Sequence, residues 1–207
     1  MKHVLIISFI MWLTGSLYAV DFEVLSDWKT AKESDGIVIS YRWINISDTF
    51  KTREMKTVLF IDATPETIIK QFKSDEKLNY WTAGSRNCSV LQHKDNQWIT
   101  HTTYDMPWPF TSNDLITRYR AVISDAYTTL TMECIPDFIP VQPDVSRIKH
   151  YSAYWILKPQ QNGGTKVEFC TVSFTRPLFP RFIQDPVLQD IMIDSMNKFR
   201  KLSEAEQ

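Results

Sequence analysis

The histidines beyond the first twenty residues are His93, His101 and His150. Their spacing fits neither an HExxH helix nor a metal triad. His101 and Asp105 stand four apart, which on a strand gives one face but a wide separation. A strand histidine without a partner is more often packed or solvated than catalytic. Cys88, Cys134 and Cys170 fit no zinc spacing. Three cysteines cannot all pair within one chain, and a single bridge such as Cys134–Cys170 stays open. With five glycines in 207 residues there is little material for a phosphate-cradling loop, and no nucleophile-elbow motif is present. No metal or other cofactor is therefore expected. Tyr41, Tyr104, Tyr119 and Asp114 would be able to move protons only if one cavity gathered them. Asp114 carries a condition of its own, because a buried carboxylate needs a partner. If it points inward, Arg147 or Arg118 must reach it, or water must.

Composition narrows the classes further. The formal net charge is −1, and no run of lysine and arginine supplies a basic face. A nucleic-acid partner is not expected on that ground. The length suits one domain with a sizeable core. Aromatic residues make up 13% of the chain, with seven Trp and eight Tyr. Such a set builds an aromatic core, and part of it can line a cavity. Lys2 and His3 precede an apolar run from Val4 to Leu13, then Thr14-Gly15-Ser16 and a cut site at Leu17-Tyr18-Ala19. That anatomy is a secretory signal over residues 1–19, with the domain at 20–207. The apolar run is shorter than the roughly 20 residues a membrane span needs. The mature protein is expected to be exported, periplasmic or secreted.

The elements that must position these side chains follow from periodicity and turn signals. Phe22 to Ser34 reads as a helix through Leu25, Trp28 and Lys32, closed by Asp35-Gly36. Strands are expected at 37–46 and 53–61. A helix begins at Thr64-Pro65, carries Ile68, Ile69 and Phe72, and frays near Asn79. Strands follow at 88–93 and 97–104 around Asp95-Asn96, then at 114–124 and 128–135. Three prolines make 136–144 a loop. A strand over 146–159 meets one over 166–175 through Gln161-Asn162-Gly163-Gly164. Leu188, Ile191, Met192, Ser195, Phe199 and Leu202 recur at three and four residues, giving a closing helix of about 15 to 20 residues.

Tyr104 to Asp114 reads YDMPWPFTSND, with prolines on both sides of Trp108. Proline gives a sheet no N–H, so the ladder must end here and restart at a new angle. PWPFTSND, the lone Arg147 after a proline-rich loop, YWILKPQQNGGTKVEF at 154–169 and RPLFPRFIQDPVLQDIMIDSMNKFRKL at 176–202 together resemble the START (StAR-related lipid-transfer) family. The ordered set covers most of the chain after residue 20. The resemblance implies an α+β helix-grip fold, a curved antiparallel sheet gripping a long C-terminal helix. Two departures stand out. Asn113 replaces the arginine of an Arg-Asp pair, and Arg176-Pro177 stands where glycine is frequent.

The resemblance further implies one hydrophobic tunnel between sheet and helix, holding a lipid, a sterol or another apolar small molecule. Trp81, Trp108, Phe110, Leu188, Met192, Ser195 and Phe199 are the candidate lining residues, with Ile191 and Met196 as a rival stripe on the helix. Asp114 and Arg147 are candidates for a polar anchor. Opening would fall to the closing helix and to the loop at 135–144. A monomer is expected, with transient membrane contact. Two other readings stay open: a cyclase- or hydrolase-like enzyme acting on an apolar substrate in the same cavity, and a scaffold domain whose pocket has collapsed.

Overall fold

The computed structural model describes residues 22–206 apart from 106–110, 162, 175–176 and 178. The expected export signal, Trp108 and Phe110 lie outside the described residues. The chain opens with four strands: β1 (Glu23–Val24), β2 (Lys29–Ser34), β3 (Ile37–Ser47) and β4 (Phe50–Ile61). Two short helices follow, α1 (Pro65–Lys70) and α2 (Asp75–Trp81). Then come β5 (Asn87–Lys94), β6 (Gln97–Tyr104), β7 (Ser112–Ile123), β8 (Thr128–Cys134), β9 (Val145–Arg147), β10 (Tyr151–Pro159) and β11 (Thr165–Ser173). The last element is α3 (Arg181–Glu204). The strands form one sheet in the order β1-β3-β4-β11-β10-β8-β7-β6-β5, with β2 on β3 and β9 on β7. Every pairing is antiparallel except that of β7 with β9. A sheet this wide must twist and curl, and α3 packs on the side it curls toward. The fold class is the expected one.

The N-terminal helix is not there; β1 and β2 occupy its place. Asp35 and Gly36 both have positive φ, 53° and 69°. That is the paired left-handed geometry of a tight hairpin turn, for which Asp-Gly is a preferred sequence. The same dipeptide therefore ends a strand instead of capping a helix. The expected helix over 64–79 is two helices. Thr64 caps α1 by accepting from the Thr67 amide, with Pro65 at the first position. Ser74 is extended, at φ −132° and ψ 135°, and Asp75 and Glu76 start α2 afresh. The expected strand over 146–159 is also two pieces. Ser146 and Arg147, with Val145 before them, leave the antiparallel meander and run parallel to β7 as β9.

Helix α3 has 24 residues and starts earlier than periodicity suggests. Pro186, in its second turn, removes the amide that would bond the Phe182 carbonyl. Side-chain pairs to the sheet hold this half instead: Asp185 with Arg53, and Asp190 with Lys32. The second half is anchored by packing. Ile193, Met196 and Phe199 are buried in the main core. Phe199 meets Trp81, Trp155 and Phe72 at ring-centroid distances of 4.7, 5.2 and 5.3 Å. Burying one such ring is worth about 1.5–3 kcal/mol, and each well-angled ring pair adds about 0.5–1.5 kcal/mol. No helix among the described residues is long and apolar enough to cross a membrane.

Candidate functional site

Directly opposed residues of an antiparallel pair share a face, so the register assigns the concave side. On β6 and β7 it carries Trp98 with Tyr119, Thr100 with Thr117, Thr102 with Leu115, and Tyr104 with Asn113. Met132 and Ala153 continue it across β8 and β10, with Tyr151 further along β10. Thr171 with Met55, then Tyr41, Trp43 and Arg53, complete it on β11, β4 and β3.

This face has two halves. Under the second half of α3 lie Ile39, Leu59, Trp98, Trp155, Val167 and Phe169, all buried in one cluster with Phe199. Further along the same face are Tyr41, Met55, Tyr104, Met132, Tyr151 and Thr171, all partly accessible, with Met55, Met132 and Tyr151 packed against the edge of that cluster. Burial pushes the Tyr104 phenol well above its usual value, and the charges of Tyr151 and Tyr119 push it the same way. Burial also raises Tyr151 and Tyr119. Tyr104 and Tyr151 are thus deep in the body, yet each keeps accessible surface. The aromatic cluster around Phe199 fills the face beneath the second half of α3.

At the near end, a pocket of about 750 Å³ opens between the β3–β4 hairpin and the start of α3. Trp43, Phe50, Lys51, Phe179, Pro180 and Arg181 line it, with Asp48, Thr49 and Pro177. The first half of α3 beside it is apolar on its outer side. Phe182 is 80% exposed, and Ile183, Val187, Leu188 and Ile191 are exposed as well.

The expected anchor pair has a different surrounding. Asp114 is opposed to Thr103, so it lies on the face away from the tyrosines, and it is 0% exposed. Arg147 reaches it from β9 through Nε, at 2.6 Å, and Nη2, at 2.9 Å. Its Nη1 donates to the carbonyls of Pro136 and Ile139, and Nη2 also donates to that of Pro140. A guanidinium has five N–H donors, and all five are taken. His101 Nε2 stands 2.9 Å from Asp114 Oδ2. Burial alone would raise the Asp114 carboxyl, but bonds and charges from Arg147 and His101 outweigh it and hold the carboxyl below its usual range. Arg118 pairs with Glu133 instead. The pair ties the 135–144 loop to the sheet and has no donor left for a ligand, which corrects the anchor expectation.

Other expected lining residues are also placed in packing. Trp81 is buried, and its Nε1 donates to the Gln71 carbonyl at 3.2 Å. Ser195 donates to the Trp81 carbonyl at 2.6 Å, tying α3 to α2. Phe199 is the centre of the aromatic cluster. Leu188 points to solvent at 50% exposure. Met192 packs against the core at the boundary of the two halves. The buried residues of α3 are Ile193, Ser195, Met196, Phe199 and Ser203, so Ser195 and Phe199 of the expected stripe are buried beside Met196 of the rival, while Ile191 is exposed. Cys88, Cys134 and Cys170 are all free thiols, so the Cys134–Cys170 bridge is absent. Tyr151 and Arg53 escaped sequence reasoning, and His101 was weighed with Asp105 although its partner is Asp114. Strand parity, worked through the register, is the signal that finds them.

No family model matches the chain. An uncharacterized protein of Pseudomonas aeruginosa is 22% identical over 194 residues, which cover 93% of this chain and 95% of the relative. Among solved structures, a STAR-related lipid transfer protein fragment from Xanthomonas axonopodis superposes with a TM-score of 0.74 at 18% identity. The match covers 85% of this chain and 98% of that one. Human StAR-related lipid transfer protein 5 gives 0.65 at 13% identity over 86% of each chain. An aromatase/cyclase from Streptomyces gives 0.50 at 11% identity over 73% of this chain and 93% of that one. A curled antiparallel sheet, a long closing helix and these superpositions agree: the chain has the START-like helix-grip fold.

Proposed function

We propose that this protein binds one lipid, sterol or similar apolar molecule between the concave sheet and the first half of α3, and carries it. The observation that supports this is the division of the concave face. The half under Phe199 is packed by the chain's own rings. The half under Met192 presents Met55, Met132, Tyr104 and Tyr151 with surface left over. An apolar guest covering that surface gains about 25 cal/mol per Å² buried, and a few hydroxyls fix its orientation. Proteins of this fold that are named for lipid transfer support the same reading. The exposed Phe182, Ile183, Val187 and Leu188 suit a brief contact with a membrane while the ligand passes. Export through residues 1–19 would place that exchange outside the cytoplasm.

The alternative is a cyclase- or hydrolase-like enzyme acting on an apolar substrate, and an aromatase/cyclase is among the proteins of similar fold. Acid–base work needs groups pushed in opposite directions. The phenols of Tyr104, Tyr119 and Tyr151 are all pushed upward, which makes them hydrogen-bond donors and not bases. Carriage fits that better. Titration with a fluorescent sterol and a fluorescent diacyl lipid tests it, using the parent chain and Met192→Trp. The larger ring fills the space at the boundary, so uptake is expected to fall at least about tenfold while the fold persists. Undiminished uptake by the variant contradicts the placement.

A further inference from the structure

We infer that the mouth of this groove binds an oxyanion, the carboxylate or phosphate head of an amphiphile whose tail occupies the space proposed above. The tail part rests on that reading; the head part rests on Arg53, Arg181, Asp185 and Trp43. Arg53 pairs with Asp185, and Arg181 Nη1 stands 3.7 Å from the same carboxylate. Two guanidiniums therefore share one counter-charge, which leaves one positive charge over. It is held in a largely dry place, since Arg53 and Arg181 are 18% and 29% exposed in their side chains. Aromatic faces take part of that charge. The Arg53 guanidinium lies 3.9 Å from the Tyr41 ring centre and 4.9 Å from that of Trp43, and Arg181 lies 5.3 Å from Trp43.

The cluster is left short of acceptors. Arg53 Nε is buried and has no hydrogen-bond partner among the described residues. An unfilled donor on a desolvated charge is costly, and a bidentate oxyanion is the group a guanidinium fits best. Burial pushes the Arg181 guanidinium down, and the neighbouring charge of Arg53 pushes it further. Pro180 gives α3 no side-chain cap, so the first-turn amides add partial positive charge at the same place. Lys51 and Asp48 on the pocket wall offset one another and leave the excess as it is. The walls argue for an amphiphile over a small ion, because Trp43, Phe50, Phe179 and Pro180 offer nothing polar beyond backbone and indole N–H.

Calorimetric titration of the full chain with dodecanoate, dodecyl phosphate, dodecanol and inorganic phosphate reads the head apart from the tail. At least one charged amphiphile is expected to bind about tenfold or more tightly than dodecanol, with inorganic phosphate far weaker. Arg181→Gln should remove most of that preference and leave dodecanol unchanged. Asp185→Asn, which frees a second positive charge, should increase it. Equal binding of dodecanol and both charged probes to the parent chain overturns the head assignment alone. Inorganic phosphate binding as tightly as dodecyl phosphate overturns the amphiphile. Failure of all three dodecyl probes overturns the tail reading too.

Discussion

Replacing Arg147 by methionine tests how the fold holds its proline-rich loop. The change keeps most of the side chain's volume and deletes five donors. Three of the bonds go to loop carbonyls of Pro136, Ile139 and Pro140, residues with some exposure, which can turn to water. The remaining two go to Asp114, which has no exposure of its own. The cost is therefore mainly that of a buried carboxylate losing its ion partner, about 3–5 kcal/mol. His101 stays within reach of the same carboxylate, so the low end, about 3 kcal/mol, is expected. That is a large part of the roughly 5–15 kcal/mol a domain has. Urea unfolding measures it, as a midpoint shift on the order of 1–2 M at an ordinary slope. The sign with pH is fixed. Asp114 is depressed in the folded chain, so its contribution is present above the ordinary carboxylate pKa of about 3.9 and is lost as pH falls through the lower folded value. The parent and variant curves should converge below about pH 4. Adding Asp114→Asn to the variant should recover part of the loss, because no charge is then stranded. A cost under about 1 kcal/mol that is flat from pH 4 to 8 would refute the reasoning, since it would mean water already serves this carboxylate.

Phe199→Ala empties the centre of the aromatic cluster and should cost about 3–5 kcal/mol by the same urea assay. Gly163 and Gly164 both have positive φ, 85° and 71°. A Cβ at Gly163 meets nothing within 4 Å, whereas one at Gly164 meets the Phe60 ring and comes within 2.8 Å of the Ile61 carbonyl. Gly163→Ala should cost about 1 kcal/mol for the backbone alone, and Gly164→Ala about 1–2 kcal/mol more, checked by thermal unfolding of the pair.

Sequence patterns were enough for the strands of the meander, the Thr64-Pro65 helix start and the closing helix, because each has a local cause in alternation, capping or 3.6-residue spacing. They failed where one local signal serves two structures. Asp35-Gly36 closes a hairpin as readily as it ends a helix, and Leu25, Trp28 and Lys32 are too few to set a period. They failed again where the cause is distant. Nothing near Val145 says that it pairs in parallel with Ser112. His101 becomes a partner of Asp114 only when the β6–β7 register sets Thr103 opposite that aspartate. On α3 the apolar residues outnumber one stripe, so spacing alone could not choose between Met192 and Met196. Packing decides, by filling the far half of the sheet with Trp155 and Phe169 from its strands and Phe72 and Trp81 from the segment around α1 and α2. Asp114 was recognisable as a carboxylate in need of a partner, with Arg147, Arg118 and water all open, but its place on the outer face was not, since it depends on parity counted from a register that sequence does not give.

Native mass spectrometry of the purified full chain, before and after incubation with a lipid extract, addresses the central claim most directly. One apolar molecule per chain, retained under gentle conditions and displaced in competition by a second lipid, is the expected result. A chain that shows only its own mass both times, with Met192→Trp indistinguishable from it, would mean that the space beneath the first half of α3 holds no guest.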